Sequence, residues 1–244
     1  MSSSKSRAAE RTARAQQARA EQERAERRRK LLSVGGVVLA MVLVIGVGFL
    51  VQRDRDTSAD VAAPSAGQGD YGVTIGEADA PHDIVIYEDF LCPFCGELEE
   101  ASRADLARLA DEGKVTVEYR PFELLSRISD YSGRATNAFA VVLEESGPEV
   151  AKAFHHLLFE NQPSESGPFP SDEDLVELAV EAGAQEDAVA EGIESGSRSD
   201  WVDEATQAAQ DAGVQGTPTV LLDGEVVNGG SVEEIAELLV AGVE

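Results

Sequence analysis

The apolar positions of this 244-residue chain fall into distinct regimes. Residues 1–30 contain no Leu, Ile, Val or Phe. A helix built from their Ala, Arg, Glu and Gln would have no apolar face with which to make a core. Leu31–Val51 then runs 21 residues with one Ser and no charge. At about 1.5 Å per residue such a run spans roughly 30 Å of hydrocarbon. "ADVAAPSAG" just downstream offers small residues to a peptidase. The apolar core of a cleaved signal peptide is nevertheless shorter, about 7–15 residues. The expectation is an uncleaved transmembrane anchor at 31–51. The basic tail 1–30, with "RRRK" at its end, stays cytoplasmic and everything after the anchor lies outside. Residues 52–70 are rich in Ala, Ser, Gly and Asp and read as a flexible linker.

The body, 71–244, is one domain's worth of chain. "DIVIYEDF" (83–90) is a buried-strand pattern. A helix is predicted from about Pro93 to Glu112, with Leu98, Ala101, Leu106 and Leu109 on one face. "KVTVEYRPF" (114–122) alternates with period two and predicts a second strand, so the three elements suggest a parallel βαβ unit. Helical periodicity follows over roughly 133–212. Val150, Phe154, Leu157 and Leu158 form one stripe, and Trp201, Ala205, Ala208 and Ala209 another. Ser171 is a candidate cap for a helix carrying Leu175, Leu178, Ala179 and Ala182, closed by Gly183. "TPTVLLDGEVVNGG" predicts a hairpin turning at Asp223-Gly224. Ser231 and Glu234 form a capping-box pattern before a last helix with Ile235, Leu238 and Leu239 inward. The order is strand, helix, strand, helical block, hairpin, helix. One α/β domain with a helical insertion at about 125–212 accounts for it.

Charge sharpens the exclusions. Residues 1–30 carry about +6, whereas the rest of the chain carries −32 within a total of −26. So acidic a body repels phosphates, and no nucleic-acid partner is expected. The basic tail suits an anionic membrane surface or simply a solvated topological signal.

The only two cysteines, Cys92 and Cys95, lie in "DFLCPFCGEL". A structural zinc needs four ligands, usually two such pairs. Here the remaining candidates are His82, His155 and His156, of which the last two point about 100° apart on a helix. No metal or cofactor is expected, and the histidines read as surface or second-layer residues. A disulfide across so small a loop constrains the unfolded chain little, so it is a poor staple. Redox chemistry has positive support. Cys92 follows a strand and opens a helix whose first position is Pro93, and free amides and the helix dipole there stabilise a thiolate. Cys92 is thus the expected nucleophile and Cys95 the resolving thiol. Pro218, in "VQGTPTVLL", precedes a buried run, where a proline interrupts any ladder.

Strand, Cys-Pro-x-Cys, helix and a distant Thr-Pro before a hairpin together resemble the thioredoxin superfamily. "APHDIVIYEDFLCPFCGELE" (80–99), the helical insertion and "GVQGTPTVLLDGE" (213–225) are most similar to membrane-anchored bacterial DsbA-like thiol–disulfide oxidoreductases. The resemblance covers about 72–244. It implies that Pro218 is cis and faces the cysteines, and that Pro93, Phe94, Thr217 and Pro218 contact substrate. It also implies that reduced exported proteins are oxidised to disulfides outside the membrane, and that a quinone-linked membrane protein of the DsbB or vitamin K epoxide reductase type restores the disulfide. Reduction or isomerisation, or a non-catalytic binding module, are the alternatives. Many relatives carry a buried acid six positions before the first cysteine. Here that position is Ile86. Glu88 and Asp89, nearer the pair, read as surface carboxylates at a strand end.

Overall fold

The computed structural model describes residues 71–244. The tail 1–30, the anchor 31–51 and the linker 52–70 expected from the sequence lie outside the described residues. Among the described residues no helix is long and apolar enough to cross a membrane.

A five-stranded sheet forms the centre, with β1 (Val73–Ile75), β2 (His82–Glu88), β3 (Val115–Pro121), β4 (Thr219–Leu222) and β5 (Glu225–Val226) in the order β1-β3-β2-β4-β5. β2 and β3 are parallel, joined through α1 (Pro93–Asp111), as the βαβ pattern predicts. The other pairs are antiparallel. β1 has no counterpart in the sequence pattern, because three residues are too few to show a period. β2 is central and buried on both faces, which explains its unbroken apolar run. Ile84 and Ile86 enter one core layer; Val85 and Tyr87 enter the other with Phe122, Val214 and Leu221. At Asp223 and Gly224 φ is positive (52° and 82°), the geometry of the tight β4–β5 turn.

The insertion comprises α2 (Tyr131–Ser146), α3 (Pro148–Glu160), α4 (Asp172–Glu181), α5 (Glu186–Ser195) and α6 (Ser199–Asp211). α2 is its hub and packs against the other four helices. Gly147, at φ 83°, ends α2, and Pro148 then opens α3. Ser171 caps α4 in a reciprocal box with Asp174. One continuous apolar core runs from Ile84 and Val117 of the sheet through Phe139 and Phe154 to Val189, so the insertion is part of the same domain.

Two helix-face assignments and one capping pattern need correction. Ala101 of α1 is exposed, while Glu99 and Ser102 are buried. In α7 (Val232–Val243), Leu238 is 42% exposed and Ala236, Leu239 and Val243 face inward. α7 lies against α1, and that contact sets its inward face. Ser231 accepts from the Glu234 amide, yet the Glu234 carboxylate turns back to the Gly230 amide (2.6 Å) rather than to Ser231.

Candidate active site

The cysteines sit where the central strand meets α1. After Glu88 the chain reverses in one turn: the Cys92 amide donates to the Asp89 carbonyl (2.9 Å) and the Leu91 amide to Asp89 Oδ1 (2.8 Å). Cys92 is the N-cap of α1 and Pro93 its first residue. The Cys92 carbonyl receives the amides of Cys95 (3.0 Å) and Gly96 (3.3 Å). Both cysteines are free thiols, with Cys95 further inside. Phe94 stands out at 56% exposure beside them, and Pro93 is exposed too.

Register brings the distant Thr-Pro to the same place. Thr219 of β4 pairs with Tyr87 of β2, so the residues just before it reach the end of β2 where the cysteine turn begins. The Thr217–Pro218 peptide is cis. The Cys92 thiol donates to the Thr217 carbonyl at 3.4 Å, and Thr217 and Pro218 remain half-buried. The six residues singled out from the sequence (Cys92, Pro93, Phe94, Cys95, Thr217, Pro218) therefore meet at the end of β2, with Cys95 buried beneath Cys92.

Electrostatics divides the two sulfurs. The Cys95 thiol, hydrogen-bonded to Cys92, lowers the Cys92 pKa most; the Thr217 side chain and the amides of Cys95 and Phe94 add to it. Together they outweigh burial and bring Cys92 to about 6. Burial, reinforced by the Cys92 hydrogen bond and charge, drives Cys95 well above the ordinary thiol range. One sulfur is held ready as a thiolate and the other as a thiol.

Several residues lie elsewhere than the sequence suggests, or carry no signal in it. Glu88 and Asp89 are buried, at 2% and 0% exposure, not on the surface. The reason is the insertion, which closes over the end of β2. Asp89 Oδ2 accepts from the amides of Leu124 and Leu125 (both 2.8 Å) and from the Ser132 hydroxyl (2.6 Å). His155 is likewise buried, and its Nε2 is hydrogen-bonded to Glu88 Oε1. A signal for it existed: Ala151, Phe154, His155 and Leu158 follow i, i+3, i+4, i+7, and all four are buried. His156 is partly exposed, and His82 pairs with Asp223 near the hairpin, as surface or second-layer residues do. Gln162, just past α3, donates to the carbonyls of Phe90 (3.0 Å) and Cys92 (2.9 Å). Gly96 makes room for it, since a Cβ there would stand 2.5 Å from Gln162 Oε1. No sequence signal marks a glutamine that acts only across a tertiary contact.

Among the described residues no group of three or more His, Cys, Asp or Glu is arranged to hold a metal ion. A dithiol with one activated sulfur, one buried sulfur and a neighbouring backbone edge can exchange disulfides with another chain.

The family model described as Thioredoxin matches residues 68–241. The disulfide bond oxidoreductase DsbG of Mycobacterium tuberculosis, in its reduced form, is 30% identical, covering 77% of this chain and 99% of its own, with a TM-score of 0.60. Oxidised DsbA of Mycobacterium tuberculosis is 28% identical, over 71% of this chain and 100% of its own, with a TM-score of 0.57. Among curated relatives, the serine/threonine-protein kinase PknE of Mycobacterium tuberculosis is 28% identical over 166 residues, which is 64% of this chain but only 29% of the kinase. This chain therefore spans less than a third of that relative. The fold, the paired thiols and the family match agree: the chain belongs to the thioredoxin family and is similar to DsbA-like thiol–disulfide oxidoreductases.

Proposed function

We propose that this enzyme oxidises thiols of exported proteins to disulfides through Cys92 and Cys95. The observation that carries the direction is the lowered pKa of Cys92, about 6. Stabilising the thiolate stabilises the reduced form, which makes the disulfide form the stronger oxidant. A substrate thiolate attacks Cys92 Sγ, and Cys95 leaves with the electron pair. A second substrate thiol then attacks its own bridged sulfur and releases Cys92 as a thiolate. The Thr217–Pro218 edge and exposed Phe94 and Pro93 hold the substrate chain during both steps. The apolar run at 31–51 anchors the enzyme in the cell membrane with residues 1–30 cytoplasmic, 52–70 as a linker and the 71–244 domain outside, close to newly exported chains. With two cysteines in the whole chain there is no internal relay, so a quinone-linked membrane protein takes the electrons.

The test is a glutathione equilibrium titration of the full chain, with acid-quenched alkylation to count thiols. Known potentials run from about −270 mV for thioredoxin to about −120 mV for DsbA. A value in the upper half supports oxidation; one near thioredoxin's assigns reduction instead. In cells that express the full chain, Cys95→Ala should accumulate mixed disulfides with exported proteins through Cys92. An empty trap would favour a non-catalytic binding module.

A further inference from the structure

Cys92 and Pro93 share a peptide bond to which proline brings no N–H. The plane of that bond sets how α1 leaves the turn. Its carbonyl, that of Cys92, accepts from the amides of Cys95 (3.0 Å) and Gly96 (3.3 Å). Both donors belong to α1 and turn with it, so they do not fix its direction. A third donor comes from outside the helix: Gln162 Nε2, at 2.9 Å. The same nitrogen donates to the Phe90 carbonyl at 3.0 Å. One amide nitrogen carries two hydrogens, so it serves both carbonyls and bridges the turn on either side of Leu91.

The insertion holds Gln162 in this place. α3 ends at Glu160, and the Asn161 side chain turns back to the Leu157 carbonyl (2.9 Å). The Gln162 amide donates to the Phe159 carbonyl (3.2 Å), and Pro163 disfavours any further helical backbone at Gln162. The Phe159 ring meets the Phe90 ring with centroids 5.1 Å apart, which docks the end of α3 beside the turn. Across from it, position 96 of α1 has no side chain: a Cβ there would stand 2.5 Å from Gln162 Oε1. Two carbonyls that face one side chain require donors. A carboxylate of the same shape would be repelled, having no hydrogen to give.

We propose that Gln162 is a positioning residue of the redox site: from the insertion it fixes the Cys92–Pro93 peptide, and so sets how strongly the Cys92–Cys95 disulfide oxidises. This rests on Cys92 and Cys95 being the exchanging pair. No proton or electron passes through Gln162. Its effect runs through the first turn of α1, which the Cys92–Pro93 peptide orients. The amides of Phe94 and Cys95 in that turn hydrogen-bond to Cys92 and favour its thiolate. Keeping them aimed at the sulfur favours the reduced form over the disulfide, which makes the disulfide the stronger oxidant. The insertion thereby contributes to the poise of a pair that itself lies at the junction of β2 and α1.

The test compares full-length wild type with Gln162→Met, Gln162→Ala, Gly96→Ala and the double variant Gly96→Ala/Gln162→Ala. Methionine keeps the length of the side chain but has no hydrogen to donate. Gly96→Ala leaves the glutamine present and pushes its amide off the carbonyls, while alanine favours the helix more than glycine does. Gln162 carries no charge, so the charges near Cys92, Glu88 among them, stay as they are. Thiolate absorbance gives the midpoint of Cys92 ionisation. A glutathione titration gives the constant for disulfide enzyme plus two glutathione thiols going to dithiol enzyme plus glutathione disulfide. Losing the bridge should raise the midpoint by about 0.5–1 pH unit and lower the constant about 3- to 10-fold at about pH 8. The double variant should match Gln162→Ala alone, since an absent amide cannot be displaced. A Gln162 variant that folds, by its urea midpoint, yet keeps both wild-type values overturns the proposal, as do additive effects in the double variant. If the Gln162 variants do not fold, Gly96→Ala decides between the same two results. Absence of selective Cys92 alkylation in wild type would instead reject the exchanging pair itself.

Discussion

Cys92 Sγ lies 3.4 Å from the carbonyl oxygen of Thr217, 125 residues further along the chain. Two pieces of order produce that contact. Cys92 is held as the N-cap of α1, and Thr219 is held in register against Tyr87 of β2. The sheet thus delivers a backbone edge to the reactive sulfur, although the insertion separates the two in sequence. The same strand end carries Asp89 and Glu88 beneath the turn, so chemistry and stability converge on a few residues.

The reactivity of Cys92 should follow its lowered pKa. Iodoacetamide should label Cys92, not Cys95, with a half-maximal rate near pH 6, read by peptide mass mapping. Equal labelling with a midpoint near pH 9 would remove the basis for a held thiolate.

Stability of the reduced enzyme should carry the same signature. The folded-state pKa is about 6 against an ordinary 9.0, so between these values the unfolded chain binds the extra proton. Stability of the reduced form therefore rises with pH across that window and is lost as pH falls through 6. The disulfide form has no such group. The urea midpoint of reduced minus oxidised protein should increase from pH 6 to pH 9 and flatten below pH 6. Cys95, shifted upward, opposes this only beyond the ordinary thiol range.

Asp89 is the polar anchor of the turn. Asp89→Ala leaves the amides of Leu91, Leu124 and Leu125 and the Ser132 hydroxyl without their acceptor. Each buried orphan costs about 1–3 kcal/mol, and relaxation of the loops reduces the sum, so about 3–5 kcal/mol is expected. Chemical denaturation measures it. A loss below about 1 kcal/mol would mean that these donors find other partners.

Phe94 separates binding from folding. At 56% exposure it contributes little to the core, so Phe94→Ala should change stability by no more than about 0.5 kcal/mol. Peptide oxidation should nevertheless fall by about 3- to 10-fold in kcat/KM, because an aromatic contact is worth about 0.5–1.5 kcal/mol. An unchanged kcat/KM would take Phe94 out of the substrate surface.

Two apolar positions test the packing directly. Phe154 is fully buried, so Phe154→Ala should cost about 3–5 kcal/mol. Leu238→Ala, at a 42% exposed position, should cost less than about 1 kcal/mol. The sequence pattern treats the two alike, whereas the fold does not.

Much of this protein is local and therefore legible. An unbroken apolar run marks β2, and the period-two and 3.6-residue patterns mark β3, α1 and the stripe Phe154–Leu158; Ser171 and Asp223-Gly224 mark a cap and a turn because their chemistry acts within four residues. Cys92-Pro93 at a strand–helix junction names the redox pair for the same reason. What the sequence could not decide is what lies across from what. Burial of Glu88 and Asp89 depends on the insertion closing over β2, the outward face of Leu238 depends on how α7 lies on α1, and Gln162 reaches Cys92 only through space. A charged residue at a strand end looks the same in sequence whether water or a buried histidine faces it. Only the tertiary structure supplies the partner, and with it the desolvation that raises Glu88 well above the usual carboxylate range and lowers His155 well below the usual imidazole range.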